Sequence, residues 1–264
     1  MIRPGRALLI ALAALIGIFF IMPILIVIPL SFTSVPSFQF PPPGWSLQWY
    51  TNFFTDPTWT RAAFTSIKVV IPVVILATTL GTMAAFGLVR GRYPGRGVVS
   101  ALMMAPIIVP YVVTGIGMYA VFLEFGLAGT VPGFVLAHTA LALPFVVINV
   151  GAVLVAFDRR LELAAMNLGA NPIKTFWKVT LPIILPGVLA GALFAFATSW
   201  DEVVVAIFLS SGVTETLPVE IWSGVRVSID PTIAAVSTML ITLTTAIIIS
   251  VAIAGTVQRR TVRA

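Results

Sequence analysis

The chain has 264 residues, of which 59% are hydrophobic and only 9% are charged, and its mean hydropathy is +1.09. An average soluble domain is about half apolar and about a quarter charged, so this composition excludes a soluble globular protein. The absence of cysteine excludes disulfides, zinc–thiolate sites and thiol catalysis, and no metal site is predicted. Most of the chain is expected to lie in a lipid bilayer.

Six apolar segments are long enough to cross a bilayer as helices, which need about 20 residues each. The alternating pattern typical of barrel strands does not occur, so helices are expected to satisfy the backbone hydrogen bonds inside the membrane. The sequence thus predicts an all-α, polytopic membrane protein with a single transmembrane domain over 1–264. The predicted spans are about 8–30, 64–89, 98–123, 131–157, 182–209 and 231–257.

The basic residues predict the orientation, because cytoplasmic loops carry an excess of Lys and Arg. With the N-terminus in the cytoplasm, only Arg61, Lys68 and Arg226 fall at or beyond the outer face. The basic residues that fall on the cytoplasmic side are Arg3, Arg6, Arg90, Arg92, Arg96, Arg159, Arg160, Lys174, Lys178, Arg259, Arg260 and Arg263. We therefore expect both termini of this multi-pass protein to be cytoplasmic.

The net charge of +6 does not indicate a nucleic-acid partner. The basic residues are spread over separate loops beside the membrane, and no nucleic-acid-binding motif accompanies them. The first span, although it follows basic residues, is longer than the core of a signal peptide and is expected to be an uncleaved helix.

The segment 158–180, between the fourth and fifth spans, is expected to form a compact cytoplasmic element. A short helix from about Leu161 to Leu168 would end at Gly169, which can take the left-handed conformation at a helix C-terminus. Pro172 suits the first turn of a second helix, so the pattern predicts helix, turn, helix. The apolar side chains expected to be exposed toward a partner protein are Leu163, Met166, Leu168 and Phe176.

This segment resembles the EAA loop in permease subunits of binding-protein-dependent ABC importers. The family pattern is Glu-Ala-Ala, three residues, Gly, nine residues and Ile-x-Leu-Pro, and Ala164-Ala165, Gly169 and Val179-Thr180-Leu181-Pro182 reproduce its spacing. The chain departs from the pattern at the glutamate position, which is Leu163, with Glu162 one residue earlier. The resemblance implies a site that couples to an ATPase. Its expected residues are Glu162, Leu163, Ala164, Ala165, Met166, Leu168, Gly169, Ala170 and Phe176.

Further motifs look like those of polyamine- and opine-type permeases, and are most similar to the second permease subunit of spermidine/putrescine importers. The resemblance implies a six-helix subunit that forms a heterodimer with a second permease, two ATPase subunits and an extracytoplasmic binding protein. It also implies import of a small organic solute by alternating access. The motifs are Phe40-Pro41-Pro42-Pro43-Gly44, Leu143-Pro144-Phe145, Leu193-Phe194-Ala195-Phe196 before Asp201-Glu202, and Thr216-Leu217-Pro218.

The chain is not expected to be an enzyme. A P-loop needs a Gly-Lys-Ser or Gly-Lys-Thr sequence to hold phosphates, and none of the three lysines follows a glycine. No cofactor is expected in this chain, and ATP and Mg²⁺ are expected in the partner ATPase subunits.

Two carboxylates, Asp201 and Glu202, lie inside the fifth predicted span. A charged group there costs several kcal/mol unless it is paired or faces water, so it indicates a functional site. Successive helical residues point about 100° apart, and one carboxylate, Asp201 first, is expected to face a cavity. The alternative is a salt bridge to a neighbouring subunit or an interfacial carboxylate. The other candidates for the substrate pathway are Trp200, Tyr111 and Trp45.

Aromatic side chains such as Trp45 are also typical of membrane-interface anchors, which is the alternative to a role in binding a cation. A polyamine-like cation is the expected solute, although Ile107 and Tyr111 follow the two prolines of the third span where polyamine members tend to have an acid. An opine, an amino acid or another zwitterion stays open. So does an ion-coupled secondary carrier with Asp201 and Glu202 as its coupling acids.

Two polar residues of the fourth span are expected to be structural. His138 is the only histidine, and hydrogen bonding in the interior is its expected role, although an imidazole can also titrate near neutral pH. Asn149 is expected to hydrogen-bond between helices.

Overall fold

The computed structural model describes residues 4–227 and 230–261. Within these ranges it contains twelve α-helices, one π-helical turn at Phe176–Thr180 and no β-strand, which confirms the all-α fold class. Arg3 and Arg263, two of the residues used to predict the topology, lie outside the described residues. The helices are α1 (Pro4–Leu30), α2 (Gln48–Thr55), α3 (Pro57–Arg90), α4 (Arg96–Ile108), α5 (Tyr111–Glu124), α6 (Val131–Ala156), α7 (Arg160–Asn167), α8 (Pro172–Thr175), α9 (Leu181–Trp200), α10 (Val204–Leu209), α11 (Leu217–Val227) and α12 (Thr232–Thr261).

Five helical stretches are long and apolar enough to cross a membrane. A sixth is formed by α4 and α5 if the two count as one span, since together they pass the same test but are bent by 109° at a short break. The described residues therefore hold five or six candidate spans, where the sequence predicts six. The five continuous stretches are Leu8–Leu30, Pro57–Arg90, Val131–Ala156, Pro172–Trp200 and Thr232–Ser250.

The third predicted span, 98–123, is interrupted at Val109 and Pro110. Val109 is extended (φ −74°, ψ 131°), as expected for a residue whose helical conformation would clash with the following proline ring. Pro110 (φ −55°, ψ 132°) then leads into the first residue of α5. By contrast, Pro106 is accommodated inside α4. One of the two prolines thus redirects the chain, and the other does not break the helix.

The fifth predicted span, 182–209, also differs from the structure. At its start, α8 and the π-helical turn run directly into α9, so the continuous stretch begins at Pro172. At its end, α9 stops at Trp200 and the separate helix α10 follows. The Glu202 carboxylate accepts hydrogen bonds from the backbone N–H groups of Val205 (2.8 Å) and Ala206 (2.7 Å). A side-chain acceptor there satisfies donors that a helix cannot satisfy itself, which stabilises the break.

The described chain forms two compact units. The first contains residues up to Thr60 together with Ile221–Ala246, and the second contains Arg61–Glu220 together with residues from Ile247 onward. The candidate coupling residues and both carboxylates of the fifth predicted span belong to the second unit.

In the first unit, the segment that follows α1 folds back on itself. Thr33 and Trp45 form an isolated antiparallel bridge. The indole N–H of Trp49 donates to the carbonyl of Thr33 at 2.6 Å, and the hydroxyls of Ser31 and Tyr50 lie 2.7 Å apart. These bonds keep the aromatic segment in a defined position next to the end of α1.

In the second unit, α3, α6 and α9 approach closely because glycines face Val146 of α6. A Cβ added at Gly81 of α3 would lie 2.6 Å from the Val146 Cβ, and one at Gly191 of α9 would lie 3.1 Å from the Val146 Cα. Gly187 of α9 faces Val153 of α6 in the same way, at 2.7 Å. Small residues at contacts between membrane helices let the backbones pack closely. This packing fixes the end of α3 and the start of α9, between which the coupling residues lie.

Replacing Gly81 with alanine is expected to lower the free energy of unfolding by about 1–3 kcal/mol, because the new methyl group must displace Val146 or the backbone of α6. The control is Gly87→Ala on the same helix, where a Cβ meets no described atom within 4 Å. That variant is expected to unfold like the unmodified protein or to gain up to about 1 kcal/mol from the better helix propensity of alanine. Thermal unfolding in detergent measures both, and equal unfolding temperatures for the two variants would contradict the close packing.

Candidate functional site

The candidate coupling segment, residues 158–180, has the helix–turn–helix conformation that its sequence predicts. Helix α7 ends at Asn167 with Leu168 as its C-cap, and Gly169 takes a left-handed conformation (φ 86°). The N–H groups of Gly169 and Ala170 donate to the carbonyls of Met166 (2.9 Å) and Ala165 (3.1 Å), the two bonds of a Schellman motif. The Asn171 side chain then accepts from the Lys174 N–H at 2.8 Å and caps α8, whose first residue is Pro172. The turn is therefore encoded locally.

Glu162 joins this segment to the two helices that flank it. Its two carboxylate oxygens lie 2.8 and 3.0 Å from the same guanidinium nitrogen, Nη1, of Arg90 at the end of α3. One of these oxygens also accepts a hydrogen bond of 2.5 Å from the hydroxyl of Thr180, immediately before α9. Leu163, at the position where the family pattern has glutamate, is 57% exposed. Glu162 thus makes the inward ionic contact, and Leu163 points outward.

The Arg90 guanidinium is held between aromatic rings as well as by the carboxylate. Its central carbon lies 4.8 Å from the centre of the Phe86 ring and 5.2 Å from that of Phe157. Phe176 packs edge-on against Phe86, with ring centres 5.8 Å apart. The expectation of an exposed Phe176 ring is therefore wrong, since this residue is half-buried and lines a cleft of about 190 Å³ beside Glu162.

An exposed apolar surface lies on the other side of the coupling segment. Leu163, Met166 and Leu168 are exposed as predicted, with Leu168 at 89%. Ile173 and Trp177 are also exposed, although the sequence does not predict them to be part of the exposed apolar surface. Of the small residues, Ala164 and Gly169 are exposed, whereas Ala165 and Ala170 are half-buried. The segment has one anchored face and one face that no described residue covers.

The pKa of the Glu162 carboxyl lies below its usual value. Burial raises this pKa, but hydrogen bonds from Thr180 and Arg90 and the positive charges of Arg90 and Arg159 together lower it by more. The carboxylate is therefore charged at neutral pH. Because the folded-state pKa is lowered, the contact stabilises the fold above the ordinary pKa of glutamate and is lost as the pH falls through the folded-state value.

The two carboxylates at the end of α9 differ in their surroundings. Glu202 is 4% exposed and its oxygens are used to cap α10. Asp201 is exposed, at the residue where α9 ends. The break in the helix, rather than the helical rotation assumed from sequence, separates the directions of the two side chains. Asp201 alone is available to a solute or to water in this conformation.

His138 supports the same region from α6. Its Nδ1 lies 3.0 Å from the hydroxyl of Ser199, and its Nε2 lies 3.7 Å from a carboxylate oxygen of Glu202. The residue is fully buried, which confirms its expected hydrogen-bonded role in the interior. Asn149 behaves differently from expectation, because its amide donates at 2.8 Å to the carbonyl of Phe145 on the same helix. The prediction of an interhelical bond from Asn149 is therefore wrong in the described structure.

The aromatic pathway candidates occupy three different environments. Trp200 is buried and stacks on Phe196, with ring centres 5.5 Å apart. Tyr111 is half-buried at the start of α5, a helix whose Gly115 allows the Phe208 ring of α10 to approach closely. Trp45 is 71% exposed and belongs to the first compact unit. The second unit thus contains Tyr111, at the start of α5, and Asp201, at the end of α9, whereas Trp45 belongs to the first unit.

Arg90 and Thr180, which contact Glu162, are the residues of the candidate site that the sequence analysis misses. Arg90 enters the predictions only as a basic residue that sets topology, and Thr180 only as the variable residue of the motif that ends in Leu181-Pro182. One feature of the sequence could have indicated the pair: Arg90 ends an apolar helix on the same predicted side of the membrane as Glu162. Opposite charges at that boundary favour pairing, but the sequence does not select the partner.

Known proteins match most of the chain. The family model for the binding-protein-dependent transport system inner membrane component matches residues 77–263. The putrescine transport system permease protein PotI of Escherichia coli (strain K12) is 35% identical over 205 residues, which cover 75% of this chain and 73% of that protein. The spermidine/putrescine transport system permease protein PotC of Haemophilus influenzae is 33% identical over 206 residues, covering 78% and 80%. The molybdenum transport system permease protein ModB of Mycobacterium bovis is 34% identical over 212 residues, covering 74% and 79%.

Solved structures show the same fold. A bacterial ABC transporter involved in the import of the acidic polysaccharide alginate matches with a TM-score of 0.69 and 17% identity, over 97% of this chain and 98% of that chain. A bacterial alginate ABC transporter in complex with an alginate pentasaccharide-bound periplasmic protein also matches with a TM-score of 0.69, at 13% identity. Since the family match and the relatives above 30% identity each cover most of the sequence, this chain belongs to the binding-protein-dependent transport system inner membrane component family and is a permease subunit of an ABC importer.

Proposed function

We propose that this permease subunit moves a small organic cation of the polyamine class into the cytoplasm, and that its segment 158–180 receives the motion of a partner ATPase. The observation that carries the proposal is the Arg90–Glu162–Thr180 contact, which ties an otherwise exposed apolar segment to α3 and α9. The polyamine class is supported by the names of PotI and PotC.

The proposed topology places both termini and the segment 158–180 in the cytoplasm, in a bacterial inner membrane. The concentration of basic residues beside that face supports this orientation. The solute then enters from the opposite side and crosses by alternating access.

The proposed assembly contains this chain, a second permease subunit as its heterodimeric partner, two ATPase subunits and an extracytoplasmic binding protein. ATP and Mg²⁺ bind to the ATPase subunits, because this sequence has no Gly-Lys-Ser or Gly-Lys-Thr motif to hold a nucleotide phosphate. This chain is thus a non-catalytic subunit without a cofactor of its own. The presence of a periplasmic protein in the solved complex of the same fold supports the binding protein.

The coupling mechanism follows from the two faces of the segment. The exposed side chains of Leu163, Leu168 and Trp177 form an apolar surface suited to a groove in the ATPase. On the opposite face, Glu162 transfers a displacement of the segment to Arg90 and Thr180. Because these residues end α3 and precede α9, movement of the ATPase would tilt both helices together.

For the solute, Asp201 is the carboxylate that the geometry makes available. It is exposed at the break before α10, and Glu202 is committed to capping that helix. One available carboxylate suits one ammonium group of a polyamine. An amino acid, an opine or another zwitterion is the alternative solute, since ModB shows that relatives at similar identity are named for a different cargo.

The ion pair can be tested by a double-mutant cycle in the complete importer. Glu162→Gln and Arg90→Gln are each expected to lower the amount of putrescine transported per ATP by about tenfold, because a charge-assisted contact contributes about 1.5–3 kcal/mol. The double variant is expected to be no worse than either single variant. The measurement is uptake of labelled putrescine and ATP hydrolysis by proteoliposomes that hold all subunits.

The matched control is Glu124→Gln, which removes an exposed carboxylate at the end of α5 and is expected to leave coupling unchanged. Additive losses in the double variant would mean that Glu162 and Arg90 act separately. Uptake of a zwitterionic amino acid instead of putrescine by the same proteoliposomes would contradict the polyamine class but not the coupling role.

The pH dependence provides a second test of Glu162. The unfolding temperature of the unmodified protein is expected to exceed that of Glu162→Gln at neutral pH. This difference should shrink as the pH falls below the ordinary glutamate pKa of about 4.3, because the native carboxylate then becomes protonated. Thermal unfolding in detergent across this range measures the difference. A difference that is independent of pH would show that the charge of Glu162 is not what stabilises the contact.

The two neighbouring carboxylates are expected to give different phenotypes. Asp201→Asn should lower putrescine transport by about tenfold with little change in unfolding temperature, and Asp201→Glu should restore part of it. Glu202→Gln should instead lower the free energy of unfolding by about 1–2 kcal/mol, the range found for lost helix caps. Transport assays and thermal unfolding distinguish the two. Normal putrescine transport by Asp201→Asn would show that Asp201 does not contact the solute during transport.

A further inference from the structure

A second cavity, of about 430 Å³, shares Arg90 with the cleft beside Glu162. It is formed where α3 ends, where the following loop enters α4, and where α6 leads toward α7. Four arginines line it: Arg90, Arg92, Arg96 and Arg159. In the described chain, no acidic side chain lines this cavity.

The positive charge of this cavity is largely uncompensated. Among the described residues, Arg92, Arg96 and Arg159 have no carboxylate within 4.0 Å, and only Arg90 has an ion pair, with Glu162. The positive-inside tendency explains why arginines occur on this side of the membrane. It does not explain why the arginines of residues 90–96 meet the distant Arg159 at one cavity, since repulsion between like charges opposes that arrangement.

Arg90 also has an unused donor. Its Nη1 binds Glu162, whereas its Nη2 is buried and has no hydrogen-bond partner among the described residues. A buried charged donor without a hydrogen-bond partner destabilises the protein, so the region around Arg90 carries positive charge that the described residues do not fully satisfy. Guanidinium groups match phosphate oxygens in a two-pronged geometry, so a phosphate group in the cavity would offset the repulsion between these arginines.

The remaining wall of the cavity is apolar. Leu154 and Phe157 are buried, and Val155 is 75% exposed at the end of α6. A cavity with cationic groups on one side and exposed aliphatic surface on the other suits a phosphate that is attached to a lipid. Basic pockets between helices at the cytoplasmic surface of a membrane bind anionic head groups for this reason.

We propose that the arginine cavity binds a phosphate group, presented by an anionic phospholipid head group or by a soluble phosphate compound. Arg92, Arg96 and Arg159 contact the phosphate oxygens, and Arg90 contributes the positive charge of its guanidinium at the wall of the cavity. Because Arg90 holds Glu162 through Nη1, the bound phosphate lies one side chain away from the Arg90–Glu162 contact. The ligand therefore stabilises the position of Arg90 from which that contact is made.

The test uses the assembled importer and measures binding rather than transport, so its outcome is independent of the solute. Complexes are purified, reconstituted with phosphatidylcholine alone or mixed with phosphatidylglycerol, and washed with detergent. Lipid retained per complex is then counted by native mass spectrometry. Arg159→Gln is expected to lower retention of phosphatidylglycerol by about fivefold, the effect of about 1 kcal/mol per basic residue near anionic lipid.

Arg160→Gln is the matched control, because Arg160 is adjacent in sequence, exposed, equally charged and not part of the cavity. It is expected to retain phosphatidylglycerol like the unmodified complex. Equal losses for Arg159→Gln and Arg160→Gln would overturn the proposal, since that result would reflect general surface charge.

A further arm separates the two sources of phosphate. Inorganic phosphate is titrated against complexes in phosphatidylcholine, with unfolding temperature as the readout. If inorganic phosphate raises the unfolding temperature of the unmodified complex but not that of the double variant Arg92→Gln/Arg96→Gln, the cavity binds a soluble phosphate compound. Selective retention of phosphatidylglycerol without a response to phosphate would assign it to the lipid. Failure of both arms would overturn the phosphate site.

Discussion

The contact between Arg90 and Glu162 is the interaction on which the position of the segment 158–180 depends. It connects residues 72 positions apart in the sequence, and Thr180 brings a third segment to the same carboxylate. The rings of Phe86 and Phe157 lie close to the guanidinium and help to hold it in position, even though the side chain is long. The candidate coupling segment is consequently attached to α3 through this ion pair and through the packing of Phe176 on Phe86, and it continues directly into α9.

This attachment explains how the segment can depart from the usual motif of its family. Adjacent residues in a helix point about 100° apart, so moving the glutamate by one position from Leu163 to Glu162 would normally remove its contact. Here the arginine at the end of α3 meets the shifted carboxylate, and Leu163 adds apolar surface on the exposed face. Glu162 therefore makes the ionic contact, and the position at which the family pattern has glutamate contributes exposed apolar surface instead.

Local signals made parts of the fold predictable. Gly169, Asn171 and Pro172 each act within a few residues, and the sequence alone predicts the turn and the helix that follows it. The direction of Glu202 was not predictable, because it depends on a break in α9 that periodicity does not reveal. The bend at Pro110 was foreseeable as a weakness in the helix, but its angle of 109° is set by packing. Likewise, Arg90 could be assigned a side of the membrane but not a partner, since pairing across 72 residues is decided by the tertiary fold.

The break before α10 changes what the acidic pair can contribute to transport. A buried carboxylate near a membrane interior needs donors, and Glu202 obtains them from the first turn of α10 with His138 close by. Its oxygens then hold the chain in an interrupted conformation, because they accept hydrogen bonds from the first turn of α10. Asp201, one residue earlier, keeps its carboxylate exposed because it lies outside that cap. Of the two acidic residues in this pair, the break therefore leaves one with its carboxylate exposed and commits the other to the fold.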